Sequence, residues 1–180
     1  VRAYAITENN VAYGNEVSFA TLSTGQTGPG GGIVFFDKGE NSGGWQYLEA
    51  ASSDQSNGYV WGCEGNYVDI YSQSFWGLSA GLGEGNTSQI VAGCNDASYA
   101  AKLCADLNLG GQNDWFLPSV GELFLMRENL FSNGIGDFIP NASYWSSSEY
   151  YPTTTNAWYL NFSYGSAGGY PKSSPLNVRA

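Results

Sequence analysis

Several short stretches of this 180-residue chain hold residue types that do chemistry elsewhere. One is "GQTGPGGGIVFF", residues 25–36, in which Gly28 and Gly30 to Gly32 crowd ahead of an apolar run. Backbone N–H groups in such a loop would suit a phosphate, but a phosphate loop sits between a strand and a helix and carries Lys with Ser or Thr. No GK[ST] occurs, and the run that follows reads as a strand. The stretch is therefore expected to be a tight entry turn in which glycine tolerates positive φ, rather than a nucleotide site.

The chain contains no histidine. That removes the commonest general base and the commonest metal ligand together, so neither a Ser-His-Asp nor a Cys-His arrangement can be built. Sixteen acids are available for paired-carboxylate chemistry, but no local pair sits in a recognisable context. No catalytic residue and no cofactor is expected. Asn113 and Asp114 in "NDWFLPS" offer oxygens to calcium, yet the D-x-[DN]-x-[DN]-G loop is missing. They are expected to satisfy backbone groups at a turn, with Trp115 in the core.

Late in the chain, "YWSSSEYY" and "AWYLNFSYG" concentrate Tyr, Trp, Ser, Glu and Asn. Sugar recognition needs flat aromatic faces beside hydroxyl and carboxamide partners, so Glu149, Tyr150, Tyr151, Asn161 and Tyr164 are the candidate ligand-binding residues. The competing reading puts Trp145 and Trp158 in the core and packs the tyrosines across strands.

Net charge is −10, and the six Lys and Arg are scattered. Such a chain is a poor partner for nucleic acid, anionic membranes or acidic polysaccharides through a basic patch. No apolar run is long enough to span a bilayer, so no membrane insertion is expected. With Val1 first and no signal peptide in view, the chain is expected to be mature, processed or an excerpt.

The elements that position these residues follow from pattern. "VRAYAI" and "EVSFATL" alternate around "ENN", predicting a hairpin over residues 1–22. Residues 23–30 have linker composition. "GIVFFD" and "GWQYLEA" read as strands joined by a turn at Gly39 to Gly44. Residues 51–94 show no sustained period and read as long ordered loops. "NDASYAAKLCADLNLGG" predicts a helix capped by Asn95 or Asp96, with Ala97, Ala100, Ala101, Cys104 and Leu107 as its stripe and Gly110 closing it. Cys104 on that stripe is expected to be a small buried hydrophobe. "LPSVGELFLMRENLF" predicts a second helix, opened by the Ser119/Glu122 capping box, with Leu123, Met126 and Leu130 inward. Strands return in "SYWSSSEYY", "NAWYLNFSYG" and "LNVRA". The class is α+β: two central helices, short antiparallel strands and an N-terminal β-hairpin.

Two resemblances attach to these segments. "VRAYA…AYGNEVSF" resembles the last two strands of bacterial fibronectin-III-like domains. "TGPGGGIVFFDKG…GGWQYLEAA", "YVWGC…IVAGC…AAKLCADLNLGGQNDWFLPSVGELFLM" and "YWSSSE…AWYLNFSYG…K…NVRA" are together similar to the Lcl-type C-terminal domain of bacterial collagen-like adhesins, over roughly residues 27–180. The second resemblance implies a C-type-lectin-like or formylglycine-generating-enzyme-like domain at residues 31–180, after a 23–30 linker. It implies an extracellular place on the bacterial cell surface, and described members bind glycosaminoglycans and trimerise. A −10 chain lacks the basic groove that a sulfated polysaccharide would want. Cys63 and Cys94, in "WGC" and "AGC", are expected to form a disulfide that staples the long loop, in preference to two free thiols, because export permits it. No C-x-x-C pair exists, so no zinc or other metal site is expected.

Two functions compete. The first is a non-catalytic surface module for adhesion or recognition, holding carbohydrate or surface protein on its aromatic, Ser/Asn-rich loop face. The second is a filament subunit that donates residues 1–22 to a neighbour in a head-to-tail polymer, since unpaired edges invite strands from other chains. Self-association as a trimer or polymer would accompany either.

Overall fold

The computed structural model describes residues 2–7, 10–16, 21–65 and 80–180. The class is α+β. Strands β1 (Arg2–Thr7) and β2 (Asn10–Glu16) form an antiparallel pair. Its register starts at Thr7↔Asn10, so the return strand begins well before Glu16, where alternation alone placed it. Strands β3 (Ile33–Ser42) and β4 (Trp45–Ala50) make a second hairpin. Its turn is the Gly43-Gly44 pair, both at positive φ, rather than the whole span from Gly39. Residues 25–27 fold back on β3 through Gly25 N–H to the Val34 carbonyl and Val34 N–H to the Gln26 carbonyl.

The main sheet has five strands in the order β5-β9-β6-β7-β8. These are β5 (Ser56–Tyr59), β6 (Ser143–Glu149), β7 (Asn156–Asn161), β8 (Ala167–Pro171) and β9 (Leu176–Val178). Strands β6 and β9 run parallel; the other neighbours are antiparallel. Three helices cover it: α1 (Gly83–Gly93), α2 (Ala100–Ala105) and α3 (Val120–Asn129).

Helix α1 falls where sequence periodicity predicts only loop. Its inward stripe is Gly83, Asn86, Thr87 and Ile90, a helical spacing built largely from small and polar residues. Their polarity is satisfied inside. Thr87 Oγ1 donates to the Leu117 carbonyl at 3.2 Å and accepts the Leu117 N–H at 3.0 Å. Asn86 Nδ2 donates to Ser147 Oγ at 3.2 Å.

Helix α2 begins at Ala100, later than expected, and its N-cap is Tyr99 rather than Asn95 or Asp96. Asp96 is spent elsewhere: its Oδ2 accepts the Cys63 N–H at 2.7 Å. Ala97 is exposed and leaves the stripe, while Ala100, Ala101 and Cys104 are buried as expected. Gly110 serves a different purpose from a helix stop. A side chain there would run into the Gly30 carbonyl, so it lets the 109–112 turn press against the 28–32 loop. Helix α3 opens with the complete capping box of Ser119 and Glu122, and Leu123, Met126 and Leu130 are buried.

The core has two parts. One gathers Trp61, Tyr99, Cys104, Leu117 and Trp145 between α1, α2 and the sheet. The other gathers Phe35, Leu123, Leu130, Tyr144, Leu160 and Phe162 under α3. Strand β6 is buried at nearly every position, including Ser146, Ser147 and Ser148. These hydroxyls and their backbone serve the elements around them: Ser148 Oγ accepts the Val120 N–H at 3.3 Å, and Ser147 N–H donates to the Pro118 carbonyl at 2.8 Å.

Candidate functional site

The glycine-rich loop holds an anion after all, and the anion is part of the chain. Gly30 and Gly32 donate their N–H groups to the two carboxylate oxygens of Glu49, at 3.2 and 3.0 Å. A side chain at Gly28 would occupy the space of that carboxylate. The loop is thus a closed cradle that pins β4 to the entry of β3. It forms one wall of a cavity of about 590 Å³. Along the walls lie the rings of Trp45, Tyr47, Trp115 and Phe116, with the side-chain amides of Asn41, Gln46 and Gln112. A second cavity, of about 440 Å³, lies on the far side of the Trp115-Phe116 segment against α1. Glu84 and Asp114, both exposed, line the two cavities alike.

The position of Glu84 follows from how α1 is tied down. Glu122, fully buried, accepts the Ser119 N–H through Oε2 at 2.7 Å and the Gly81 N–H through Oε1 at 2.7 Å. One carboxylate therefore caps α3 and fixes the approach to α1. Trp115 is held by its indole N–H, which donates to the Leu109 carbonyl at 3.4 Å. It is buried as expected, whereas Asn113 and Asp114 are exposed.

The five residues singled out from the sequence do not converge. Glu149 and Asn161 lie at opposite ends of the β6–β7 ladder, where Glu149 faces Ala157 and Asn161 faces Ser143. Six residues of strand separate those ends, about 20 Å. Glu149 is 2% exposed and ion-paired with Lys172, which is itself fully buried with its ammonium 4.4 Å from the Trp61 ring centroid. Tyr150 packs edge-on against Trp158, ring centroids 4.7 Å apart. Asn161 is buried and fixes the turns beside it, donating to the Asn141 carbonyl at 3.0 Å and accepting the Tyr164 N–H at 3.0 Å. Tyr151 and Tyr164 are the two that reach solvent, 70% and 76% exposed. Trp145 is fully buried and Trp158 half-buried.

Cys63 and Cys94 are joined in a disulfide. Together with Asp96 they make a cluster of metal-ligating atom types among the described residues. Its sulfurs are bonded to each other and its carboxylate takes the Cys63 N–H, so the donors are spent on structure. Cys104 is free and buried, and burial pushes its thiol pKa well up, which leaves it unreactive.

A second buried ion pair closes the sheet. Arg179 Nε donates to Asp54 Oδ1 at 2.6 Å, and its Nη1 donates to the Ala51 and Gly136 carbonyls at 2.7 and 2.9 Å. Asp54 Oδ2 accepts from Tyr144 Oη at 3.0 Å and from Asn177 Nδ2 at 3.2 Å. Burial raises the Tyr144 pKa to about 12.

The residues that line the larger cavity come mainly from the stretches 29–30, 41–49, 81–84 and 112–116, joined by Phe35, Met126 and Ala180. Trp45 and Trp115 read in sequence as an ordinary strand residue and an ordinary core residue. Their only common signal is that each adjoins polar side chains within its own segment. No curated protein matches the chain. A family model described as the Lcl C-terminal domain matches residues 50–180, and the chain belongs to that family.

Proposed function

We propose that the chain is a non-catalytic, extracellular recognition module of C-type-lectin-like architecture on the bacterial surface, holding carbohydrate in the larger cavity. The observation that carries this reading is the cavity wall: five aromatic residues, Phe35, Trp45, Tyr47, Trp115 and Phe116, beside three side-chain amides. Ring faces stack on the apolar faces of sugars while amides pair with hydroxyls, and a few fixed polar groups in a largely preformed cleft set orientation. The disulfide fits an exported setting.

A glycan array probed with the intact chain tests the reading. Trp45→Ala is expected to weaken whatever glycan binds by tenfold or more, since one base- or sugar-sized stacking contact is worth roughly 1–3 kcal/mol. Loss on Tyr151→Ala or Tyr164→Ala instead would move the site to the loop face. Absence of any glycan or surface-protein binding would remove the function altogether.

A second reading, strand donation into a filament, is favoured by one observation. The β1–β2 pair is a sheet of two strands, and such a pair is marginal in water without further partners. Deleting residues 1–22 should abolish polymers seen by light scattering and leave a folded monomer; polymers that persist would refute it.

A further inference from the structure

We infer that the ligand of the larger cavity carries positive charge, and that it is a glycan of amino sugars with free amines. The inference rests on the recognition reading above and specifies its ligand class. The lining of the two cavities contains Glu49, Glu84 and Asp114 and no Lys or Arg. Glu49 is neutralised by the N–H groups of Gly30 and Gly32. Glu84 and Asp114 have no ion-pair partner among the described residues. The two buried carboxylates of the sheet are matched differently, Glu149 by Lys172 and Asp54 by Arg179. Glu84 and Asp114, both exposed, therefore place unpaired negative charge on the lining of both cavities, where a ligand's ammonium would find a counter-charge.

The rings favour a cation as well. Lys38 Nζ lies 3.7 Å from the centroid of the Trp45 ring, a cation–π contact that a ligand's ammonium on that face would displace. A whole-chain charge of −10 adds long-range attraction for a polycation and repulsion for a sulfated or uronic polymer. Among cations, an amino sugar uses all the features present. Its ring stacks on the half-buried ring of Trp45 or Tyr47, its hydroxyls meet Asn41, Gln46 and Gln112, and its amine meets Glu84 and Asp114. A lysine-rich peptide would use the carboxylates and, through its backbone, the amides, but has no sugar ring to lay on the aromatic faces.

The test is titration calorimetry of the intact chain at mildly acidic pH in EDTA. The probes are a β-1,4-linked glucosamine oligomer, its fully N-acetylated counterpart, and an oligolysine of equal charge. The glucosamine oligomer is expected to bind about tenfold or more tightly than either of the others, because hydrogen bonds to charged groups are about twice as strong as neutral ones. A Glu84→Gln/Asp114→Asn variant should lower its affinity to that of the acetylated oligomer and leave the acetylated oligomer unaffected. Equal binding of the two sugars would overturn the charge specificity while leaving the carbohydrate reading intact. Tighter binding of oligolysine would overturn the sugar and make the ligand a basic protein segment. If none binds while a neutral or anionic glycan does on the array, the inference fails alone; if no glycan binds at all, the recognition reading fails with it.

Discussion

Replacing Lys172 with Met should cost far more than removing a surface charge. Both members of its pair with Glu149 are sequestered, with side chains 0% and 1% exposed. Deleting one partner takes from the other its opposite charge in a buried site, which typically costs 3–5 kcal/mol. Lys172→Met also forfeits the ammonium over Trp61. The backbone is not disturbed, because the Lys172 carbonyl keeps the Trp61 N–H at 2.9 Å whatever the side chain. We expect about 4 kcal/mol for Lys172→Met and about 3 for Glu149→Gln. The double variant should cost no more than Lys172→Met alone, because neither charge of the pair remains. The coupling energy is then about 3 kcal/mol, at the upper end of the range for contacting residues. Urea unfolding of the four chains measures this directly, with each kcal/mol also lowering Tm by roughly 2–4 °C at this chain length. Single variants that cost under about 1 kcal/mol each, or that simply add in the double, would show that the two charges do not compensate one another, and the reasoning would fail.

Two other perturbations follow from the same description. Cys63→Ser/Cys94→Ser opens a loop of 31-residue separation, which by chain entropy costs about 3.7 kcal/mol, read as a Tm lower by roughly 10 °C; an unchanged Tm would refute it. Tyr144, with its pKa raised from about 10 to about 12, favours the folded state fully below about pH 10, and that contribution is lost as pH rises through about 12. A near-ultraviolet titration should show a late phenol ionisation that Tyr144→Phe abolishes; a Tyr144 that ionises with the exposed tyrosines would contradict the burial argument.

Legibility in the sequence depended on how local the cause was. Helix α3 announced itself because both halves of its capping box lie within four consecutive residues, Ser119 to Glu122. The β3 and β4 strands were visible for the same reason, as compact apolar runs beside glycine. Helix α1 was hidden because its buried face is Gly83, Asn86, Thr87 and Ile90, whose polarity is satisfied by Leu117 and Ser147. No hydropathy period records a hydrogen bond made to another segment. The start of α2 was misplaced because Asp96, a good cap by type, had a better-positioned donor in Cys63. Glu149 read as a ligand residue because an acid among serines and tyrosines looks solvated; its partner Lys172 lies 23 residues further on. The cavity is the extreme case. Its walls are drawn from widely separated parts of the chain, and part of it, including Trp45 and Glu49, precedes residue 50, where the family match begins. A ligand preference set by that wall can therefore vary among chains that share the matched domain.

The position of β9 has a kinetic consequence. It sits between β5 and β6, and Arg179 beside it reaches back to Asp54 and Ala51 across 125 and 128 residues. Until that segment docks, the sheet lacks an interior member and Asp54 lacks its counter-charge. Contacts so distant along the chain must close a very long loop before any reward arrives, which slows folding and discourages stable partial structures. The complete sheet therefore requires a closure of nearly the whole described chain, which is expected to make this domain a slow folder for its size.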